Sequence, residues 1–457
     1  MDVTRSASGV GGRAAAAAFW CENAWLPTGV ARSVRVLVDR GRITEISPGA
    51  EPAEGDHRLG GLVLPGFANA HSHAFHRALR GRTSGAGGTF WTWRTRMYAV
   101  AERLRPDTYL RLARAAYAEM ALAGVTAVGE FHYLHHGPGG QPYTDPNAMS
   151  EALVQAACDA GVRLTLLDTC YLTGGLSATG HQPLHPVQQR FSDGSVESWA
   201  SRVEALGARD GLLVGAAAHS VRAVPREDLS RLRAAVPADR PLHVHLSEQP
   251  AENEAAQAFY GRTPTQLLDE AGLLGPGTTA IHATHLGEGD HRLLGGSGTG
   301  VCACPTTESD LADGIGPFAR LRDAGSPLSV GSDSHAVVDL LLEARLVEQY
   351  ERLGGNLRGT WSPEGLVDVL TVNGQEMLGW TDAGRLEPGH RADLVAVALD
   401  SARTAGIDPA EVAFAATAAD VRDVVRDGVR VVTAGEHVLG DVGRLLAEAI
   451  DPLWSGA

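Results

Sequence analysis

Short apolar runs and longer amphipathic stretches alternate through the middle of the chain. The runs are LVLPGF, VTAVGEF, RLTLLDT, LLVGAAAH, LHVHLSE, TTAIHATH, GVCACP and PLSVGSDS. Each is too short for a helix and is bounded by turn or polar residues. Continuous apolar runs of this length are what strands buried on both faces require. Between them lie stretches such as PDTYLRLARAAYAEMALAG, NAMSEALVQAACDAG and TPTQLLDEAGLL, amphipathic in the manner of surface helices. Eight runs with helical spacers predict an α/β fold, a (β/α)8 TIM barrel of about 300 residues.

The two ends carry a different pattern. AFWCENAWL and SVRVLVDRGRITEIS break into short β-like pieces near one end. AGRLEPGHRADLVAVAL and VRDVVRDGVRVVTAGE read the same way near the other. Strands separated by turn residues at both ends predict one small β domain built from the two termini. The expected division is 1–61 and 381–457 for the two parts of that domain and 62–380 for the barrel. Segment 172–198, rich in Gly, His and Gln, is expected to be a long loop over the barrel mouth. No solenoid repeat interrupts the pattern.

Composition narrows the function. Of 457 residues, 44% are hydrophobic and 20% charged, the balance of a soluble globular protein with a large core. The net charge of −15 excludes a binder of nucleic-acid backbones, which needs a basic surface. Five cysteines, an odd number in so long a chain, imply no disulfide framework, and a reduced cytoplasmic setting is expected. The early run AAAAAFWC is short and has no convincing small-residue cleavage site after it, so no signal peptide is expected. No run reaches the ~18 apolar residues that span a bilayer, so no membrane partner is expected.

Polar residues fall at the ends of the predicted strands. His71 and His73 follow the first run, Glu130 and Tyr133 the second and His219 the fourth. His245 and Glu248 end the fifth, His282 the sixth and Asp333 the eighth. In a (β/α)8 barrel these ends form the catalytic face. His71 and His73 are two apart, so on a strand both imidazoles face one way and can grip one metal ion. His245 and Asp333 are the natural further ligands. Mixed His and Asp ligation suits zinc or iron more than calcium or magnesium. Glu248, three residues past His245, can turn back to take a proton from a metal-bound water. His282 is either a core histidine at a strand end or a group that steadies charge in the transition state; the second reading is favoured. Cys302 and Cys304 read as strand core. His132, His135 and His136 read as loop or supporting residues rather than a second metal site, and His285 likewise. Trp91 and Trp93 either wall a pocket or pack a loop.

PGFANAHSH, HVHLSE, IHATH and GSDSH together resemble the amidohydrolase superfamily, and more narrowly its mononuclear deaminase branch. The resemblance implies a barrel flanked by a small β-sandwich from both termini, one zinc per chain with ferrous iron as the alternative, and a homodimer. FWTWRTRMY, EFHYLHH, HSVRAV and CPTTESDLADG resemble the formimidoylglutamate deiminase family of histidine degradation. That resemblance places metal ligands on His71, His73, His245 and Asp333, and the acid/base pair on Glu248 and His282. It places substrate contacts on His76, Arg94, Tyr133, His219 and Arg222. Nucleobase and triazine deaminases usually carry a Ser-Asn pair after the proline of strand seven. Here Thr306, Thr307 and Glu308 follow it, which argues against guanine or cytosine. The implied reaction is hydrolytic deimination of N-formimidoyl-L-glutamate to N-formyl-L-glutamate and ammonia, with Asp333 taking the last proton as the adduct collapses. The alternative is a deaminase of the same superfamily for another formimidoyl or guanidino acid or a heterocycle. A small dicarboxylate suits Arg94 and Arg222, whose planar forks bind carboxylates in pairs of hydrogen bonds. His76 stands where that family often has Gln, a departure that bears on the exact substrate.

Overall fold

The computed structural model describes residues 16–83, 90–207 and 209–455, with backbone only at 90 and 91. Seven of the eight apolar runs coincide with barrel strands; the first, LVLPGF, gives its LVLP to a strand of the terminal sheet and only Phe67 to the first barrel strand. The barrel strands are β1 (Phe67–Ser72), β2 (Val125–His132), β3 (Arg163–Cys170), β4 (Leu212–Ala218), β5 (Leu242–Leu246), β6 (Thr278–His282), β7 (Gly300–Ala303) and β8 (Leu328–Val330). They pair in parallel and in sequence order. Nearly every strand residue is buried, because helices cover the outer face while side chains fill the interior. Helix Pro106–Leu122 shows how such a cover forms. Proline opens it, Thr108 caps the preceding backbone, and Tyr109, Leu112, Ala113, Ala116, Tyr117 and Met120 make one buried stripe.

The barrel closes where β8 returns to β1. Ser72 bridges Asp333, the Asp333 amide donates to the His71 carbonyl at 3.0 Å, and the His73 amide donates to the Asp333 carbonyl at 3.3 Å. Gly331 permits that approach: a Cβ there would sit 2.7–2.8 Å from the backbone and Cβ of His71.

The termini form a separate eight-stranded sheet. Strand His57–Pro65 lies between Ala17–Leu26 on one side and Leu394–Val397 on the other, with Leu62 opposite Val397 and Leu64 opposite Val395. Phe19, Val34, Val36, Ile43, Leu59, Val63, Leu394 and Val425 give it a core of its own. This sheet runs past the expected boundary at residue 61, as far as Pro65. Only Gly66 separates it from β1, and its amide bonds to the Asp393 carbonyl. The last helix, Val442–Trp454, packs on barrel helix Pro106–Leu122 rather than on the sheet, and the Trp454 indole donates to the Ala78 carbonyl at 3.0 Å. The two bodies are tied at the start of β3. Fully buried Arg163 reaches Asp393 and Asp427, with Nη1 contacts of 3.1 and 3.2 Å.

Segment 172–198 is more ordered than a plain loop. It holds a hairpin, Gly175–Ser177 with Gly180–Gln182, a short helical turn Pro186–Phe191, and the first residues of helix Val196–Glu204. His181 shares a 2.7 Å hydrogen bond with Tyr260, which pins the hairpin to helix Pro250–Tyr260. No helix among the described residues is long and apolar enough to cross a membrane.

Candidate active site

Strand ends at one face of the barrel bring four groups together. Nε2 of His71 and of His73 lie 3.3 and 3.4 Å from Asp333 Oδ1, and His245 Nε2 lies 3.2 Å from His71 Nε2. All four residues are buried. His73 Nδ1 donates to the Phe131 carbonyl and His245 Nδ1 to the His219 carbonyl, both at 2.9 Å. A carbonyl only accepts, so the hydrogen of each ring sits on Nδ1 and Nε2 presents a lone pair. Burial keeps these rings neutral: it pushes His71 down to about 3, and His73 and His245 below the usual histidine range. Burial works to raise Asp333, but the His71 hydrogen bond and the positive charge of His282 hold its carboxyl below the usual range. Converging lone pairs beside an ionised carboxylate, walled from water, need a cation between them. The donor set fits a divalent transition metal.

Backbone strain accompanies this geometry. Ser247, His282, Ala283, Asp333 and His335 all have φ between 39° and 69° without being glycine. Such conformations cost on the order of 1–2 kcal/mol each. They gather where the chain turns at the strand ends that carry the site.

The acid/base groups stand beside the ligands. His282 Nε2 lies 3.6 Å from Asp333 Oδ2 and 3.9 Å from Glu248 Oε1, while its Nδ1 lies 3.3 Å from Glu308 Oε1. Burial opposes the imidazolium, but the Glu308 hydrogen bond and the charges of Glu248 and Asp333 raise His282 to about 10. A cation at the neighbouring ligands adds a competing positive charge and draws that value down.

The expected substrate residues line one cavity of about 260 Å³ with His73, His245, Glu248 and Asp333. His76 Nε2 and the Tyr133 hydroxyl share a 3.0 Å hydrogen bond, and Trp93 meets His76 edge-on at 5.0 Å. The Arg94 guanidinium stacks 5.5 Å from the Tyr98 ring. His219 and Arg222 complete the wall, and the hairpin contributes Gly175, Leu176 and Gln182. Trp93 is therefore a wall residue; the Trp91 side chain lies outside the described residues.

Sequence reasoning gave no role to three further carboxylates. Glu130 accepts from Ser72 Oγ at 2.8 Å and from the Ala74 amide at 2.7 Å, which locks the segment carrying both first ligands. Burial pushes it up to about 8. Glu308 supports His282. Glu252 lies 3.0 Å from Arg222 Nε. Its only sequence signal was a place four residues after Glu248.

A second cluster, His132, His135 and Asp168, has ligand-like spacing. Arg202 grips both oxygens of Asp168 at 2.9 and 2.8 Å, and the Trp199 indole donates to it at 3.0 Å. The guanidinium already supplies the positive charge there, so the cluster is a buried ion network. Cys302 and Cys304 pack in the barrel core with Ala70 and Ile281. His285 shares a 2.6 Å hydrogen bond with the Asp313 carbonyl and holds a loop.

The amidohydrolase family profile matches residues 62–431. The chain belongs to the amidohydrolase family. This amidohydrolase is 37% identical to a formimidoylglutamate deiminase of Pseudomonas aeruginosa, over 92% of this chain and 95% of the relative. It is 32% identical to an 8-oxoguanine deaminase of the same organism, over 86% of this chain and 88% of the relative. The crystal structure of an amidohydrolase from Brucella melitensis superposes with a TM-score of 0.88 at 31% identity, covering 96% of this chain and 99% of that one.

Proposed function

We propose that this amidohydrolase hydrolyses N-formimidoyl-L-glutamate to N-formyl-L-glutamate and ammonia. The observation that carries the reading is one cavity lined at once by metal-type ligands, by Glu248 and by two arginines, Arg94 and Arg222. The ligands suit a reacting centre, and the guanidiniums suit a substrate with two carboxylates. The 37% identity to a formimidoylglutamate deiminase supports the same substrate.

His71, His73, His245 and Asp333 would hold one zinc or ferrous ion, which supplies a Lewis acid and a water acidified to near neutrality. Arg94 and Arg222 hold the substrate carboxylates, and His76 and Tyr133 bound the space beside them. Glu248 Oε1 takes a proton as water adds to the formimidoyl carbon. His282, donating from Nε2, offsets negative charge on the adduct. As the adduct collapses, Asp333 takes its hydroxyl proton and Glu248 returns one to the departing nitrogen. The bond to the terminal nitrogen breaks, ammonia leaves, and the formyl carbonyl remains on the glutamate nitrogen.

A heterocycle deaminase is the second reading. Trp93, Tyr98, Tyr133, Tyr171 and Phe191 on the cavity wall could stack a flat ring. Two guanidiniums in the same cavity weigh against it. The test is ammonia release by the zinc-loaded protein from N-formimidoyl-L-glutamate and, separately, from 8-oxoguanine, with products weighed by mass spectrometry. Ammonia with N-formylglutamate is expected. Release from the purine alone would overturn the reading.

A further inference from the structure

Arg222 sits between two carboxylates of different freedom. Its Nη2 donates to Glu248 Oε2 at 3.0 Å. Its Nε lies 3.0 Å from Glu252 Oε2, an ion pair whose angle falls short of a hydrogen bond. Glu252 is 1% exposed, and its other oxygen accepts from the Ser247 amide at 3.2 Å. It lies in the first turn of helix Pro250–Tyr260, where the helix dipole favours its charge. Glu252 is therefore fixed. Glu248 lines the cavity, on the turn between β5 and that helix.

Two carboxylates already share this one guanidinium. A third carboxylate arriving from the cavity competes with them for that guanidinium, and of the two only Glu248 lines the space it enters. We propose that Arg222 is a latch on Glu248, which a substrate carboxylate opens by taking its place while Glu252 keeps the guanidinium from following. The proposal rests on the reading above, in which Arg222 binds a carboxylate and Glu248 moves protons. Its consequence is that the carboxylate contributes to turnover as well as to binding. A substrate without one leaves Glu248 tied to Arg222 through Oε2, unable to swing from the water to the departing nitrogen.

The test compares N-formimidoyl-L-glutamate with N-butylformamidine, which has the reacting group and no carboxylate, in the metal-loaded enzyme. The expected kcat for N-butylformamidine is about ten- to a hundredfold lower, the worth of one charge-assisted hydrogen bond. Propionate added in trans is expected to raise that kcat severalfold in the wild type and to leave it unchanged in Arg222→Met. A merely structural arginine gives no such activation. The wild-type titration stands even if the variant folds poorly. Equal kcat values for the two compounds, or no activation by propionate, would overturn the latch while leaving the substrate assignment standing. No turnover of either compound removes the substrate assignment and the latch with it.

Discussion

Stripping the cation from His71, His73, His245 and Asp333 should lower the melting temperature by an amount the fold dictates. The four ligands come from the ends of β1, β5 and β8, so the ion spans the barrel and pins the seam between its first and last strands. Asn69 already ties that seam with bonds to Ser332 of 2.8 and 2.9 Å. β8 has three residues, and the closure at Asp333 rests on backbone bonds of 3.0 and 3.3 Å. An ion held in thousandfold excess over its dissociation constant stabilises the folded state by about 4 kcal/mol. Unfolding entropy near ~2.1 cal/mol/K per residue, over 457 residues, gives a slope of about 1 kcal/mol per degree. Dialysis against chelator should therefore lower the melting temperature by about 4 °C, and one equivalent of zinc should restore it. Calorimetry on samples of measured metal content makes the comparison. If metal content falls from one per chain to none and the melt does not move, the four residues do not form a metal centre linked to the fold.

Two further perturbations test the surroundings of that centre. Gly331→Ala forces a Cβ within 2.7–2.8 Å of His71. It should cost about 1–3 kcal/mol and weaken zinc binding in a competition titration with a chromophoric chelator, because β8 must back away and carry Asp333 with it. Unchanged affinity would mean the seam tolerates the shift. Glu130 is raised to about 8 from an ordinary 4.5, so the stability it lends is full below pH 4.5 and drains as pH rises toward 8. Glu130→Gln has no such drain. Its stability relative to wild type should climb by about 1.4 kcal/mol per pH unit across that window in urea melts, and a flat difference would refute the assignment.

What could be read before folding was whatever rests on local spacing. Seven of the eight barrel strands announce themselves because a strand covered on both faces cannot alternate. The same economy exposes His71 and His73, whose separation of two puts both rings on one side of a strand. Helix Val442–Trp454 was missed although Val442, Leu446, Ala449, Ile450 and Leu453 mark an apolar stripe along it, because that end of the chain reads as strands; only the fold shows that the stripe docks on the barrel. The boundary at residue 61 failed for a related reason. RLGGLVLPGFANA is apolar on both sides of Gly66, and only pairing partners show that one half belongs to the small sheet.

Charges separated widely along the chain were the least legible. Arg163 and Asp393 are 230 residues apart, and nothing in the sequence around either pairs them before the fold buries them together. Glu130 read as a strand end, although its carboxylate ties down the ligand segment. Arg222 shows the limit most clearly. Its residue type predicts a partner of opposite charge, and a substrate carboxylate is a sound expectation. That Glu248 and Glu252 already occupy it follows only from bringing the end of β4 beside the end of β5. A site residue's type can thus indicate the chemistry it is suited to. The charged groups that share it are set by the neighbouring strand.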